Sequence, residues 1–107
     1  MITFDPDRDL FQERRKTSQG EDILIIVSEE YINEKFNLSS NNYDTDELPK
    51  KQMESAQNLF SDIFLNVEKY KEFMISEKNS LKIIVLATTD TGITNIKNYL
   101  RGIGLYE

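Results

Sequence analysis

The chain has 107 residues, of which 38% are hydrophobic and 30% are charged, and its formal net charge is −6. A chain of this length can form one core without disulfides or metal staples, so we predict a single domain over residues 1–107. Histidine, cysteine and tryptophan are absent. Their absence excludes Cys/His zinc sites, cysteine nucleophiles and Ser-His-Asp triads, and it favours a function other than catalysis.

The longest uninterrupted apolar runs are residues 23–27 and 83–87. They are far too short to cross a bilayer, which takes about 20 apolar residues. The start of the chain also lacks the basic and apolar regions of a secretory signal. We therefore expect a cytoplasmic protein that has no membrane association.

The first element is predicted to be a short helix. Asp5-Pro6-Asp7 has the composition of a helix start, and the pattern runs from about Pro6 to Ser18 before Gly20. Its end carries Arg14, Arg15 and Lys16, the one basic cluster of the chain. We interpret this cluster as a solvated helix end rather than as an anion site.

A buried strand, a helix and a loop are predicted next. Residues 22–27 form an apolar, β-branched run that is typical of a strand buried on both faces. Ser28-Glu29-Glu30 resembles a helix N-terminus, and a short strand returning as a hairpin is the alternative for this segment. Residues 37–47 contain turn formers and acids with no sustained period, which predicts a flexible acidic loop.

The strongest pattern runs from about Leu48 to Ile75. Its apolar residues are spaced alternately three and four apart, which predicts one amphipathic helix. Such a helix would be about 40 Å long, so it must protrude, break near Ser61 or Asn66, or pack against a second copy. Core packing is the favoured interpretation, and a homodimer through the long helix, with Met53, Tyr70 or Met74 at the seam, is the second.

The chain ends with a second buried strand at residues 81–87 and a short helix at about 93–101. The two buried strands are predicted to be parallel neighbours joined by a right-handed crossover. The predicted fold class is α/β (or α+β). A small, mainly parallel or mixed sheet would pack on the long amphipathic helix and on shorter flanking helices.

Acidic residues are concentrated in the N-terminal half, where residues 1–49 contain 12 Asp and Glu against 5 Lys and Arg. Such a surface favours a protein partner with a basic surface over direct contact with nucleic acid. We therefore predict a small, non-catalytic binding module that needs no cofactor and acts as an inhibitor, adaptor or regulatory subunit. The residues assigned to its binding surface are Glu29, Glu30, Glu34, Tyr43, Asp44, Asp46 and Glu47.

Two alternatives remain open. The same acidic residues could imitate DNA phosphates and inhibit a nucleic-acid-binding protein. The frequent Asn, Ile and Lys residues are typical of AT-rich coding sequence, which fits a phage or mobile-element origin.

The second alternative comes from a resemblance to Toprim domains, in which acids after two apolar strands organise Mg²⁺ for phosphoryl transfer. Here Glu29 follows the first strand and Asp90 the second. The resemblance implies that Glu29 and Asp90 hold Mg²⁺ in a phosphoryl-transfer or nucleotide-binding domain. The sequence departs from the family pattern at Ser28, which directly follows the strand, and at Thr88, which replaces the first aspartate of a pair.

Overall fold

A computed structural model describes all 107 residues as a mixed five-stranded sheet with helices on both faces, so the fold is α+β. The elements in chain order are β1 (Thr3–Asp5), β2 (Leu10–Lys16), β3 (Asp22–Ser28), α1 (Glu29–Lys35), α2 (Glu47–Leu65), a 3₁₀ helix (Val67–Phe73), β4 (Met74–Lys78), β5 (Leu81–Leu86) and α3 (Asp90–Gly102). No helix has the length and apolar character needed to cross a membrane.

The strands lie in the order β1-β2-β3-β5-β4. The predicted pairing of the two buried strands is confirmed, because β3 and β5 are parallel neighbours with Val27 opposite Leu86. The other pairs are antiparallel hairpins. In the β4–β5 hairpin, the turn residues Asn79 and Ser80 both have positive φ (54° and 67°), the backbone that a tight hairpin turn requires.

The sheet separates two hydrophobic cores. The larger contains 14 buried residues and places α1, α2 and the 3₁₀ helix on one face of the sheet. The smaller contains 8 buried residues and holds α3 on the other face through Ile96 and Leu100. Because both faces are covered, the central strands are continuous apolar runs rather than alternating ones.

The predicted helix at residues 6–18 is wrong, because this segment forms the turn and second strand of the β1–β2 hairpin. Leu10 and Phe11 are adjacent, and they are buried in opposite cores as the two-residue period of a strand requires. The two arginines of the basic cluster contact other residues of the fold. The guanidinium of Arg14 lies 2.7 Å from the carboxylate of Asp22, and that of Arg15 stacks 4.0 Å from the ring centroid of Phe64.

The predicted helix over residues 48–75 is also too long. It ends at Leu65, where the Asn66 side chain donates to both the carbonyl and the carboxylate of Asp62. The apolar residues after the break, Val67, Tyr70 and Phe73, are three apart, which suits a 3₁₀ helix of three residues per turn. Met74 then begins an edge strand.

This break removes the reason for a dimer through protruding helix. A 19-residue helix is about 28 Å long, and the molecule measures 42 × 29 × 22 Å. The residues predicted at the seam are packed against the larger core, where Tyr70 is buried and Met53 and Met74 are half-buried.

Candidate functional site

The largest cleft of the molecule has a volume of about 850 Å³ and lies at the carboxyl end of β3. Its walls are the β1–β2 turn, the start of α1 and the part of α3 between Gly92 and Tyr99. The residues that line it are Asp7, Arg8, Asp9, Leu10, Ser28, Glu29, Glu30, Asn33, Gly92, Asn95, Ile96, Asn98 and Tyr99.

The chain diverges at this end of the sheet. After β3 it turns to the face that carries the larger core, and after β5 it turns to the opposite face. The cleft lies on the β2 side of the β3 end, because Leu10 of β2 and Ser28 of β3 line it and no residue at the end of β5 does. Ala87 and Thr88, which follow β5, border a smaller pocket instead.

Asp5 and Asp9 fix the β1–β2 turn that forms the first wall. Asp5 Oδ1 accepts a hydrogen bond from the backbone N–H of Asp7 at 2.9 Å, which closes a local turn. The carbonyl of Asp9 accepts the N–H of Glu29 at 2.9 Å, and Asp9 has a φ of 53°. The turn is thus joined to the first residue of α1, and it holds the carboxylates of Asp7 and Asp9 beside the cleft.

The second wall is the start of α1. Ser28 caps this helix by accepting the N–H of Tyr31 at 3.1 Å, and Glu29 and Glu30 follow in the first turn. The buried amide of Gln52 on α2 donates to Glu29 Oε2 at 3.2 Å and to Asn33 Oδ1 at 2.9 Å. Both protons of this amide are used, so the orientation of Glu29 is set by a buried contact from a neighbouring helix.

The third wall is α3, which presents Tyr99 to the cleft. The Tyr99 hydroxyl accepts a hydrogen bond from Nε2 of Gln12 on β2 at 3.1 Å. The Cζ of Arg8 lies 4.9 Å from the Tyr99 ring centroid, and its Nη1 lies 3.2 Å from Asp5 Oδ2. Arg8 thus connects the β1–β2 turn to α3.

The charge of the cleft is one-sided. Asp7, Asp9, Glu29 and Glu30 line it, and Arg8 is the one cationic residue among its lining residues. Asn33, Asn95 and Asn98 add amide groups that can both donate and accept. A site of this kind suits a ligand that carries positive charge and several hydrogen-bond donors.

The structure divides the predicted binding residues into two groups. Glu29 and Glu30 line the cleft, whereas Glu34 is exposed one turn further along α1, beside a smaller pocket that contains Tyr31 and Thr88. The other predicted residues belong to the segment before α2 and its first residue, and they lie outside the cleft.

Two residues of the predicted acidic loop have roles within the fold. Asp44 Oδ1 accepts hydrogen bonds from the backbone N–H groups of Glu47 and Asp46. These bonds lower the pKa of the Asp44 carboxyl group, and the bond from Glu47 has the greater effect. Asp44 thereby caps the start of α2. Tyr43 is half-buried against the larger core instead of projecting as an aromatic anchor, while Asp46 and Glu47 are exposed.

The predicted Mg²⁺ site gains no support from the structure. Asp90 is exposed in the first turn of α3 and is not among the residues that line the cleft with Glu29. No group of three or more acidic side chains is arranged to hold a metal ion.

Gly92, in the first turn of α3, has a packing role. A Cβ at this position would lie 3.3 Å from both Ala87 Cβ and Thr89 Oγ1.

Sequence reasoning missed Asp7, Arg8, Asp9 and Tyr99. The first three were assigned to a helix, so their position opposite α1 could not be predicted. A signal was present, because Asp5-Pro6-Asp7-Arg8-Asp9 combines turn formers between the apolar residues Phe4 and Leu10. Tyr99 gives no local signal, since its importance comes from the packing of α3 beside the turn.

Comparison with known proteins finds no family model, curated protein or solved structure that matches this chain.

Proposed function

We propose that this protein is a non-catalytic binding module that takes a basic segment of a partner protein into the cleft at the carboxyl end of β3. The observation that carries the proposal is the convergence of Asp7, Asp9, Glu29 and Glu30 on that cleft, from two separate parts of the chain. An inhibitor, an adaptor or a regulatory subunit would each use such a surface.

Preorganisation of the walls supports the proposal. The N–H of Glu29 is bonded to the β1–β2 turn, and its carboxylate is held by buried Gln52. A partner would therefore meet one carboxylate, that of Glu29, whose ordering cost was met during folding, and this improves affinity for a given set of contacts.

The surface outside the cleft favours charge over apolar contact. The large hydrophobic residues that are strongly exposed are Met1, Leu65 and Ile103, which belong to three different parts of the fold. Isolated exposed hydrophobic residues are normal on soluble domains and do not form a docking patch. Recognition through carboxylates is the mode that this surface offers best.

Photo-crosslinking tests the proposal. A photoreactive phenylalanine derivative replaces Asn95, an exposed residue of the cleft, and the control places it at Ser18 in the β2–β3 turn. We expect a protein to be captured from a lysate of the source cells at Asn95 and not at Ser18, through a basic segment identified by mass spectrometry.

Charge neutralisation makes the test specific. Asp7→Asn with Glu30→Gln removes two exposed cleft charges, and Glu68→Gln with Glu77→Gln removes two charges near Lys82 at the opposite edge of the sheet. Capture should fall in the first variant only. Equal capture from both positions, or capture that survives neutralisation of the cleft, would contradict the proposal. A captured nucleic-acid-binding protein that duplex DNA displaces would favour the DNA-mimic form of the function.

A further inference from the structure

Arg8 is held as a bound guanidinium ligand would be. Its Nη1 lies 3.2 Å from the carboxylate of Asp5, and its Cζ lies 4.9 Å from the centre of the Tyr99 ring. The side chain of Arg8 is nevertheless 52% exposed. Exposed ion pairs and exposed cation–π contacts are weak, so this arrangement can be exchanged for another cation at little cost.

The Tyr99 ring is a fixed platform. Its hydroxyl is bonded to Gln12 on β2, and the next residue along α3, Leu100, is fully buried in the smaller core. The ring therefore stays beside the cleft when Arg8 moves, and a planar cation from outside can stack on it.

We propose that Arg8 is an internal competitor that occupies a guanidinium subsite formed by the Tyr99 ring of the cleft and the neighbouring carboxylate of Asp5, and that the partner displaces it with an arginine side chain. This inference rests on the proposed function, because it names the group that the cleft takes from its partner. Arginine is favoured over lysine because a planar guanidinium stacks on an aromatic face and is weakly hydrated, whereas an ammonium is a strongly hydrated point charge.

A measurable consequence follows from the competition. A ligand that must displace Arg8 binds only to the fraction of molecules in which the ring is free. Arg8→Gln should therefore tighten the binding of an arginine ligand about 3- to 10-fold, the range expected when one or two weak exposed contacts no longer compete. Arg8→Lys should give a smaller gain, because an ammonium competes less well for the ring.

Two short peptides serve as probes, acetyl-Gly-Arg-Gly-amide and acetyl-Gly-Lys-Gly-amide. Their dissociation constants are measured by amide NMR shifts of the ¹⁵N-labelled protein, followed at the cleft residues Gly92 and Asn95. We expect the wild type to prefer the arginine peptide, and Tyr99→Leu to lose that preference. Tyr99→Phe keeps the aromatic ring, so this variant should keep the preference for the arginine peptide.

A matched control separates competition from net charge. Lys50→Gln removes one exposed positive charge from α2, outside the cleft, as Arg8→Gln removes one at the cleft. If both variants tighten binding equally, the gain is a charge effect and the competitor role of Arg8 is overturned.

The remaining outcomes separate this inference from the proposed function. Binding that requires Asp7 and Glu30 but is unchanged in Arg8→Gln, or that shows no preference for arginine, would overturn the inference and leave the proposed function standing. Failure of both peptides to shift the cleft residues in the wild type and in Arg8→Gln would overturn the inference. Crosslinking at Asn95 would then decide the proposed function separately.

Discussion

At the residue scale, Asp44 shows how an apparent recognition residue can be structural. Its carboxylate accepts two backbone N–H groups at the start of α2, so Asp44→Ala should lower the free energy of unfolding. The loss appears as a lower Tm in thermal denaturation. Asp46→Ala is the control, because the Asp46 side chain makes no capping bond. Equal losses in the two variants would refute the capping role of Asp44.

A second residue-scale contact joins the end of α2 to the 3₁₀ helix. The Tyr70 hydroxyl donates a hydrogen bond to the carboxylate of Asp62, and this carboxylate also accepts hydrogen bonds from the side chains of Lys69 and Asn66. Burial, together with a hydrogen bond to the negatively charged Asp62, raises the pKa of Tyr70 to about 12, so its hydroxyl remains a donor even above the ordinary tyrosine pKa of 10.0. The same hydroxyl, with Lys69, lowers the pKa of Asp62 below 3.8.

The Asp62 contact should appear as a pH-dependent contribution to stability. Because the pKa of Asp62 is lower in the folded state, the contribution is complete above the unfolded value of 3.8 and is lost as pH falls through the folded value. The difference in unfolding free energy between wild type and Asp62→Asn should therefore be constant near neutral pH and should shrink below about pH 3.8. Urea denaturation across this range measures it. A difference that stays constant to low pH would contradict the assignment.

At the element scale, α2 supplies the largest helical contribution to the core. Phe60 is 1% exposed, whereas Leu65 in the last turn of the same helix is 82% exposed. Phe60→Ala should lower the free energy of unfolding by about 3–5 kcal/mol through lost burial and a residual cavity. Leu65→Ala should change it by less than about 0.5 kcal/mol. Chemical denaturation of both variants checks the contrast, and similar losses would place the packed face of α2 elsewhere.

The elements that could be predicted are those whose signal lies in a short, unambiguous stretch of the sequence. β3 and β5 are encoded locally by apolar runs, and each was predicted close to its observed bounds. The start of α1 is encoded by the Ser28 cap and was predicted at its observed place. β2 was missed because burial on both faces at Leu10 and Phe11 hides the alternation that identifies a strand. β4 was missed because the apolar spacing of the 3₁₀ helix resembles a continuing α-helix until Met74.

The candidate site was predictable only in part, and for the same reason. Glu29 and Glu30 follow directly from the end of a recognisable strand. Asp7, Asp9 and Tyr99 reach the cleft through the hairpin and the position of α3, which are long-range features of the fold. An acidic composition indicates a basic partner, but tertiary structure decides which carboxylates share a surface.

At the scale of the whole molecule, the two ends of β3 lie at places on the sheet that differ in charge. The cleft edge, at the carboxyl end of β3, carries Asp7, Asp9, Glu29 and Glu30. The opposite edge, at the amino end of β3, pairs Glu21 with Lys82 and Asp22 with Arg14. A basic ligand approaching from solution should therefore be steered toward the cleft edge.

Screening distinguishes steering by the cleft from attraction by net charge. The Debye length is about 30 Å at 0.01 M salt and about 8 Å at 0.15 M, while the molecule is 42 Å in its longest dimension. At low salt an approaching ligand senses charges over the whole molecule, so the cleft variant (Asp7→Asn, Glu30→Gln) and the opposite-edge variant (Glu68→Gln, Glu77→Gln) should slow association similarly. At 0.15 M only charges close to the docking position still act.

We therefore expect that, at 0.15 M salt, the cleft variant alone remains severalfold slower than the wild type in binding an arginine-rich peptide. Both variants remove the same amount of charge, so a difference between them reports where the charge lies. Stopped-flow fluorescence measures the association rate from a tryptophan placed in the peptide, because the chain itself has none. Equal rates for the two variants at 0.15 M would place the docking surface away from the cleft. A gap that widens with rising salt instead identifies the carboxyl edge of β3 as the place where the ligand arrives.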